Sequence, residues 1–172
     1  MTGWIRAGTL LLACAWLSWA GADEVRMRQA MQAYRQGDFA QAARLFADEV
    51  RELDRSVGER HPATLIAMNN LAVTYLALGR PAEALPLQEK VLRLRSEVQG
   101  ERHPATLTAM GNLAVTYRAL GRPAEALPLE EKVLRLRSEV LGERHPDTLT
   151  AMNNLASTYK TLNRPAEALP LE

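Results

Sequence analysis

Residue types that could hold a metal ion recur three times in this chain, each time within the pentapeptide Gly-Glu-Arg-His-Pro. They are His61, His103 and His145, with the glutamates Glu59, Glu101 and Glu143. Imidazole and carboxylate groups both bind zinc. Successive sets are separated by two predicted helices, whose axes pack about 8–10 Å apart, so the sets lie too far from one another to share an ion. We interpret them as turn residues that tie one unit to the next, and predict no metal site.

The spacings that mark other catalytic or nucleotide sites do not occur in the sequence. It contains no HExxH, CxxC, phosphate-loop or Gly-x-Ser-x-Gly motif. The single cysteine, Cys14, lies in an apolar N-terminal segment, and serines such as Ser96 and Ser138 have no recognisable base nearby in the sequence. We therefore expect no enzymatic activity and no cofactor.

The pentapeptides open copies of one 42-residue unit. Unit 2 is Gly58–Gln99, unit 3 is Gly100–Leu141, and unit 4 is the unfinished Gly142–Glu172. Units 2 and 3 are identical at 37 of 42 positions. A period of this length is typical of a solenoid, in which neighbouring units stack to bury a continuous core.

Each unit has the pattern of two helices. In 62–79, apolar residues recur at steps of three and four, with proline at the predicted start and Gly79 at the left-handed cap. Pro81 opens a second amphipathic helix, and Asn163 replaces the cap glycine in unit 4. Residues 23–57 resemble a diverged unit 1. The sequence thus predicts an all-α fold, an α-solenoid of stacked antiparallel helix pairs.

The first 22 residues have the pattern of a secretory signal peptide. Arg6 precedes the apolar stretch Ala7–Ala20, and Ala20-Gly21-Ala22 has the form that signal peptidase cleaves. We expect an exported protein, periplasmic or secreted. Two alternatives remain open: an uncleaved N-terminal anchor, or a lipoprotein anchored at Cys14, since Leu11–Cys14 loosely resembles a lipobox.

The charge balance argues against nucleic acid as a partner. The chain has 21 Lys and Arg against 20 Asp and Glu, and loss of Arg6 with the signal peptide would make the two numbers equal. Nucleic-acid binders need a basic surplus. Arg93, Arg95, Arg135 and Arg137 alternate with glutamates, and we interpret this stripe as a solvated helix face.

The spacing of Ala72, Tyr75, Gly79 and Ala84 resembles the tetratricopeptide repeat. The 42-residue period and the string NNLAVTY…LGRPAEALPL are similar to the kinesin light chain type of that repeat. The resemblance implies a right-handed superhelix whose concave face, lined by the first helix of each unit, binds extended peptides. It also implies peptide-holding asparagines at the matching positions, where Gly111 departs from the pattern. They are Asn69, Asn70, Asn112, Asn153 and Asn154.

Differences between the units concentrate on one side of the first helix, and we call this surface the groove strip. It comprises Ile66, Asn69, Asn70, Val73, Leu76, Thr108, Gly111, Asn112, Val115, Arg118, Thr150, Asn153, Asn154, Ser157 and Lys160. The exposed side of the second helix, including Glu89, Lys90 and Arg95, is unchanged between units 2 and 3. This contrast favours a binding groove over neutral drift, which remains the alternative.

The same differences suggest what the groove binds. Leu76, Arg118 and Lys160 occupy equivalent positions and change from apolar to basic along the chain. We predict a protein-interaction scaffold whose partner is an extended peptide, apolar near Leu76 and acidic near Arg118 and Lys160.

Glu172 falls partway through a predicted second helix, at the position of Gln88 in unit 2. Solenoids need polar caps at their ends, and this end has none. The sequence leaves three readings open: the recognition arm of a larger protein with a catalytic domain downstream, self-association through the uncapped end, or a weakly ordered terminus.

Overall fold

A computed structural model describes residues 25–169, and this part of the chain contains helices and no strand. The predicted signal peptide and the last three residues lie outside the described residues. The helices are α1 (25–35), α2 (Phe39–Val57), α3 (Pro62–Ala77), α4 (Pro81–Gln99), α5 (Pro104–Ala119), α6 (Pro123–Leu141), α7 (Pro146–Thr161) and α8 (Pro165–Ala168).

Each helix from α2 onward packs mainly against the next helix along the chain, and α3 also contacts α5. Because contacts run between neighbours in sequence, the core extends along the array instead of gathering at one centre. The predicted all-α solenoid is confirmed. None of the described helices is long and apolar enough to cross a membrane.

The histidines of the repeated pentapeptide begin the first helices. Nδ1 of His61 accepts a hydrogen bond from the backbone N–H of Ala63 at 3.2 Å, and a proline follows at the first helical position. His103 and His145 cap α5 and α7 in the same way. A side-chain acceptor here satisfies one of the free N–H groups of the first turn. The histidines are therefore N-caps.

The first helices end on residues with left-handed backbone. The φ angles are +69° at Gly79, +71° at Gly121 and +58° at Asn163. After each of them the chain enters the second helix, with a backbone hydrogen bond from Arg80 N to Tyr75 O at 2.9 Å at the first of these turns. The predicted caps are confirmed, and asparagine replaces glycine because it also tolerates this conformation.

The second helices present only part of the solvated face that the sequence suggested. Arg95 is only 8% exposed, and burial lowers the pKa of its guanidinium. Its counterpart Arg137 donates from Nη1 to the carbonyl of Asp147 in α7, at 2.9 Å. Lys90 pairs with Glu59 of its own unit at 2.6 Å. The interpretation as a solvated stripe is wrong for Arg95 and Arg137, which pack against other segments of the array. Arg93 and Arg135 are exposed as expected, and each pairs with a glutamate one turn later at 3.3 Å.

Small residues allow the paired helices to approach closely. Ala72, Ala84, Ala114 and Ala126 are all fully buried. A larger side chain at such a position has no space to enter and must push the helices apart.

Replacing Ala114 with leucine should therefore lower the free energy of unfolding by about 1–3 kcal/mol, because it overpacks the contact. Urea unfolding followed by far-UV circular dichroism measures this. Ala119→Leu, at an exposed position of the same helix, is the matched control and should stay within about 0.5 kcal/mol of the parent. Equal effects at the two positions would contradict the packing argument.

Candidate functional site

The groove strip lies at the surface, and none of its residues is buried. Six of its side chains are exposed: Ile66, Thr108, Thr150, Asn153, Ser157 and Lys160. The other nine residues are half-buried: Asn69, Asn70, Val73, Leu76, Gly111, Asn112, Val115, Arg118 and Asn154. The threonine hydroxyls of Thr108 and Thr150 donate to carbonyls one turn earlier in their own helices.

Half-buried asparagines of the strip join the first helices of successive units. Asn112 Nδ2 in α5 donates to Asn69 Oδ1 in α3 at 2.9 Å. Asn70 Nδ2 lies 3.8 Å from the sulfur of Met27 in α1. The structure thus brings together strip residues that are more than forty positions apart in the sequence, along the line where the first helices meet.

The next junction along the array is built differently. Gly111 stands where Asn69 stands in unit 2, so it offers no amide to the following helix. Asn154 instead receives Arg118, whose Nη2 lies 3.5 Å from Oδ1 and whose Nη1 lies 3.5 Å from the backbone carbonyl. Here a guanidinium replaces the amide pair.

Arg118 also reaches a buried carboxylate beneath the strip. Its Nε lies 3.4 Å from Oε1 of Glu130 in α6, and the Glu130 side chain is only 3% exposed. Burial raises the pKa of the Glu130 carboxyl, while Thr158 and Arg118 act in the opposite direction. From the sequence alone Arg118 is expected to face a peptide as a cation, but much of its guanidinium is already engaged within the protein.

Glu130 is not among the residues predicted for the site, although the sequence contains a signal for it. Three of the five differences between units 2 and 3 are Asn69/Gly111, Leu76/Arg118 and Gln88/Glu130. The new residues Gly111 and Glu130 line one small gap together with Asn154 and Arg137. A new cation and a new anion in the same copy could have suggested a pair.

At the N-terminal end of the strip, Asn70 and Val73 line a small, mostly apolar cavity of about 180 Å³ between α1 and α3. Met31, Tyr34 and Phe46 supply most of its remaining wall. This end of the strip is therefore more apolar than the end that carries Arg118 and Lys160.

A further contact between units was missed. The hydroxyl of Tyr117 in α5 donates to Oε1 of Glu89 in α4 at 3.2 Å, and the guanidinium of Arg122 lies 4.9 Å from the Tyr117 ring centre. Burial and the Glu89 carboxylate raise the pKa of Tyr117. Because Glu89 makes this contact, packing alone can keep it the same in units 2 and 3. The contrast between the variable first helix and the unchanged second helix is therefore weaker evidence against neutral drift.

No group of three or more His, Cys, Asp or Glu side chains in residues 25–169 is arranged to hold a metal ion. The repeated glutamates of the pentapeptides have other partners: Glu59 pairs with Lys90 at 2.6 Å and Glu101 with Lys132 at 2.8 Å.

The sequence matches the family model of the tetratricopeptide repeat over residues 23–97, 76–139 and 131–172. The chain belongs to the tetratricopeptide repeat family. Proteins built of such repeats generally act as scaffolds for protein partners. No curated protein sequence matches the chain.

Two solved structures show how far the likeness extends. The kinesin light chain TPR-like repeats of Podosopora anserina match with a TM-score of 0.80 and 28% identity, over 86% of this chain and 70% of that one. BtubC (BKLC) from P. vanneervenii matches with a TM-score of 0.80 and 20% identity, over 87% of this chain. The alignment spans 59% of BtubC, and at this identity it shows the fold alone.

Replacing Glu130 with glutamine, the residue of unit 2 at this position, should raise the free energy of unfolding at pH 7. The pKa of Glu130 is raised in the folded state, so the parent protein loses stability as the pH rises from about 4.5, the ordinary value, through the folded pKa. The advantage of the variant should therefore vanish below about pH 4.

Urea unfolding at pH 4 and pH 7 measures this difference. Glu143→Gln, at an exposed position, serves as the control and should change little at either pH. A glutamine variant that is less stable than the parent at pH 7 would show that the pair with Arg118 outweighs the cost of burying Glu130.

Proposed function

We propose that this tetratricopeptide repeat chain holds an extended segment of a partner protein along the groove strip. The observation that carries the proposal is the continuity of the strip: its half-buried residues join α3 to α5 and α5 to α7 through side-chain hydrogen bonds. The exposed residues beside this line carry one amide, three hydroxyls and one ammonium group. An extended peptide can bind such a surface through its backbone as well as its side chains.

The proposed orientation follows from the two ends of the strip. The cavity beside Val73 suits an apolar side chain. At the other end, Arg118 and Lys160 provide positive charge, although Arg118 shares its charge with the buried Glu130. An acidic segment therefore meets less uncompensated positive charge at Arg118 than the sequence alone suggested. Exposed charge contacts contribute only about 0.2–1 kcal/mol each, so most of the affinity would come from backbone and apolar contacts.

A library of unstructured peptides displayed against the purified chain tests this proposal. The selected peptides should combine an apolar residue with acidic residues a few positions away. Combining Lys160→Glu with Arg118→Leu should weaken their binding by up to about tenfold. Leucine is the residue of unit 2 at the Arg118 position, so this variant avoids placing a second carboxylate beside Glu130.

Arg135→Glu is the matched control, because Arg135 is an exposed cation on α6, away from the strip. It should leave peptide affinity unchanged. If the strip variant and the control lost affinity for the peptide equally, net charge alone would explain the effect. That result would contradict binding in the groove.

We also propose that the chain is exported and that residues 1–22 are removed. The support is the sequence pattern alone: one basic residue, an apolar stretch and a small-x-small end. The intact mass of the protein isolated from its source cell should show an N-terminus at Asp23. Retention of Met1 would contradict cleavage, and a lipid-modified Cys14 would favour the lipoprotein alternative.

A further inference from the structure

A three-residue contact recurs at the interfaces between units, and we call it the tyrosine clasp. It consists of a tyrosine near the end of a first helix, the glutamate 28 positions earlier on the preceding second helix, and the arginine five positions after the tyrosine. Tyr117 donates to Glu89 at 3.2 Å and Tyr159 donates to Glu131 at 2.8 Å. Arg122 and Arg164 lie 4.9 and 5.0 Å from the centres of the two rings.

The first of these interfaces has the tyrosine and the arginine but lacks the carboxylate. The Arg80 guanidinium lies 5.1 Å from the Tyr75 ring centre, as in the other clasps. The residue 28 positions before Tyr75 is Ala47. The correspondence is secure because α2 and α4 are both 19 residues long and each is followed by a glycine with positive φ. Within the described residues, the Tyr75 hydroxyl has no hydrogen-bond partner.

A pocket of about 480 Å³ lies at this interface, beside α2 and the turn between α3 and α4. Its lining consists of Ala40, Ala43, Arg44, Ala47, Asp48, Arg51, Tyr75, Leu78 and Arg80. Ala43 and Ala47 stand where α4 has Leu85 and Glu89. The two alanines therefore leave empty the space that a leucine and a glutamate occupy in the next unit.

The pocket carries an excess of positive charge. Three guanidinium groups line it, against the single carboxylate of Asp48, which is paired with Arg51. Arg80 is paired with Glu83 at its edge, with one contact of 2.6 Å. Arg44 forms no ion pair with any described residue, so one full positive charge in the lining is uncompensated.

We propose that this pocket binds a carboxylate on a short aliphatic stem, supplied by an acidic side chain of a partner polypeptide, in the place that Glu89 and Glu131 fill at the later interfaces. The Tyr75 hydroxyl donates to it, and Arg44 and Arg80 compensate its charge. The alanines of α2 accommodate the methylene groups of the stem. The pocket shares no residue with the groove strip, so this site stands or falls independently of the proposed function.

The test uses two short acetylated and amidated peptides, Ala-Ala-Glu-Ala-Ala and Ala-Ala-Gln-Ala-Ala, added to the full chain and followed by NMR. The ring signals of Tyr75 and the Nε–H signal of Arg80 should shift saturably with the glutamate peptide and not with the glutamine peptide. Tyr75→Phe removes only the hydroxyl and should weaken binding about fivefold. Acetate serves as a third ligand: displacement of the peptide by acetate at equal concentration would overturn the assignment to a polypeptide side chain.

Ala47→Glu should complete the clasp from within the chain. It should abolish binding of the glutamate peptide and raise the melting temperature. Ala47→Gln fills the same volume without the charge, so it should raise the melting temperature less. Identical responses to the two peptides, or unchanged binding in Ala47→Glu, would overturn the proposal. Should Ala47→Glu fail to fold, the peptide pair and Tyr75→Phe still decide it.

Discussion

The structure depends on one constraint: the apolar face of a helix pair can be covered only by a neighbouring pair. A single unit of about forty residues is too small to bury a sufficient core. Fully buried alanines such as Ala72 and Ala114 bring the helices close enough to exclude water. Tyrosine clasps and the pairs of Lys90 with Glu59 and Lys132 with Glu101 then fix the geometry at the edges. The stacking also decides which residues remain at the surface, including those of the groove strip and of the pocket beside Tyr75.

Stacking nearly identical units should give nearly identical interfaces, yet the two junctions of the strip differ. Between α3 and α5 the contact is an amide pair, Asn69 with Asn112. Between α5 and α7 it is Arg118 with Asn154, supported by the buried Glu130. The scaffold tolerates this exchange because the helices are held by the alanines and leucines below. The surface can therefore diverge without disturbing the fold, as an interaction scaffold requires.

The sequence predicts the architecture well because the causes are local. Proline and histidine begin the first helices, and Gly79 and Asn163 end them, for reasons of backbone conformation and hydrogen bonding that need no knowledge of distant residues. The apolar spacing of three and four defines the helices between them. These signals recur in each unit, which multiplies their weight.

The roles of Arg95 and Arg118 could not be predicted in the same way. Each depends on which residue of another helix lies opposite, and the pattern along one helix does not contain that information. Periodicity placed Arg95 on an outer face, whereas the packing of the array buries it. Likewise, Arg118 reads as a free cation until Glu130 and Asn154 are seen beside it. The missing carboxylate at Ala47 becomes meaningful only when Tyr117 and Glu89 are seen in contact.

Site-specific photocrosslinking in the source cell tests the central claim, that the groove strip holds a partner protein. A photoreactive amino acid would replace Val115 in the strip in one variant, and Val140, an exposed residue of α6, in the other. The account predicts a discrete crosslinked partner from position 115 and none from position 140. Crosslinking from position 140 alone, or from neither position, would contradict it.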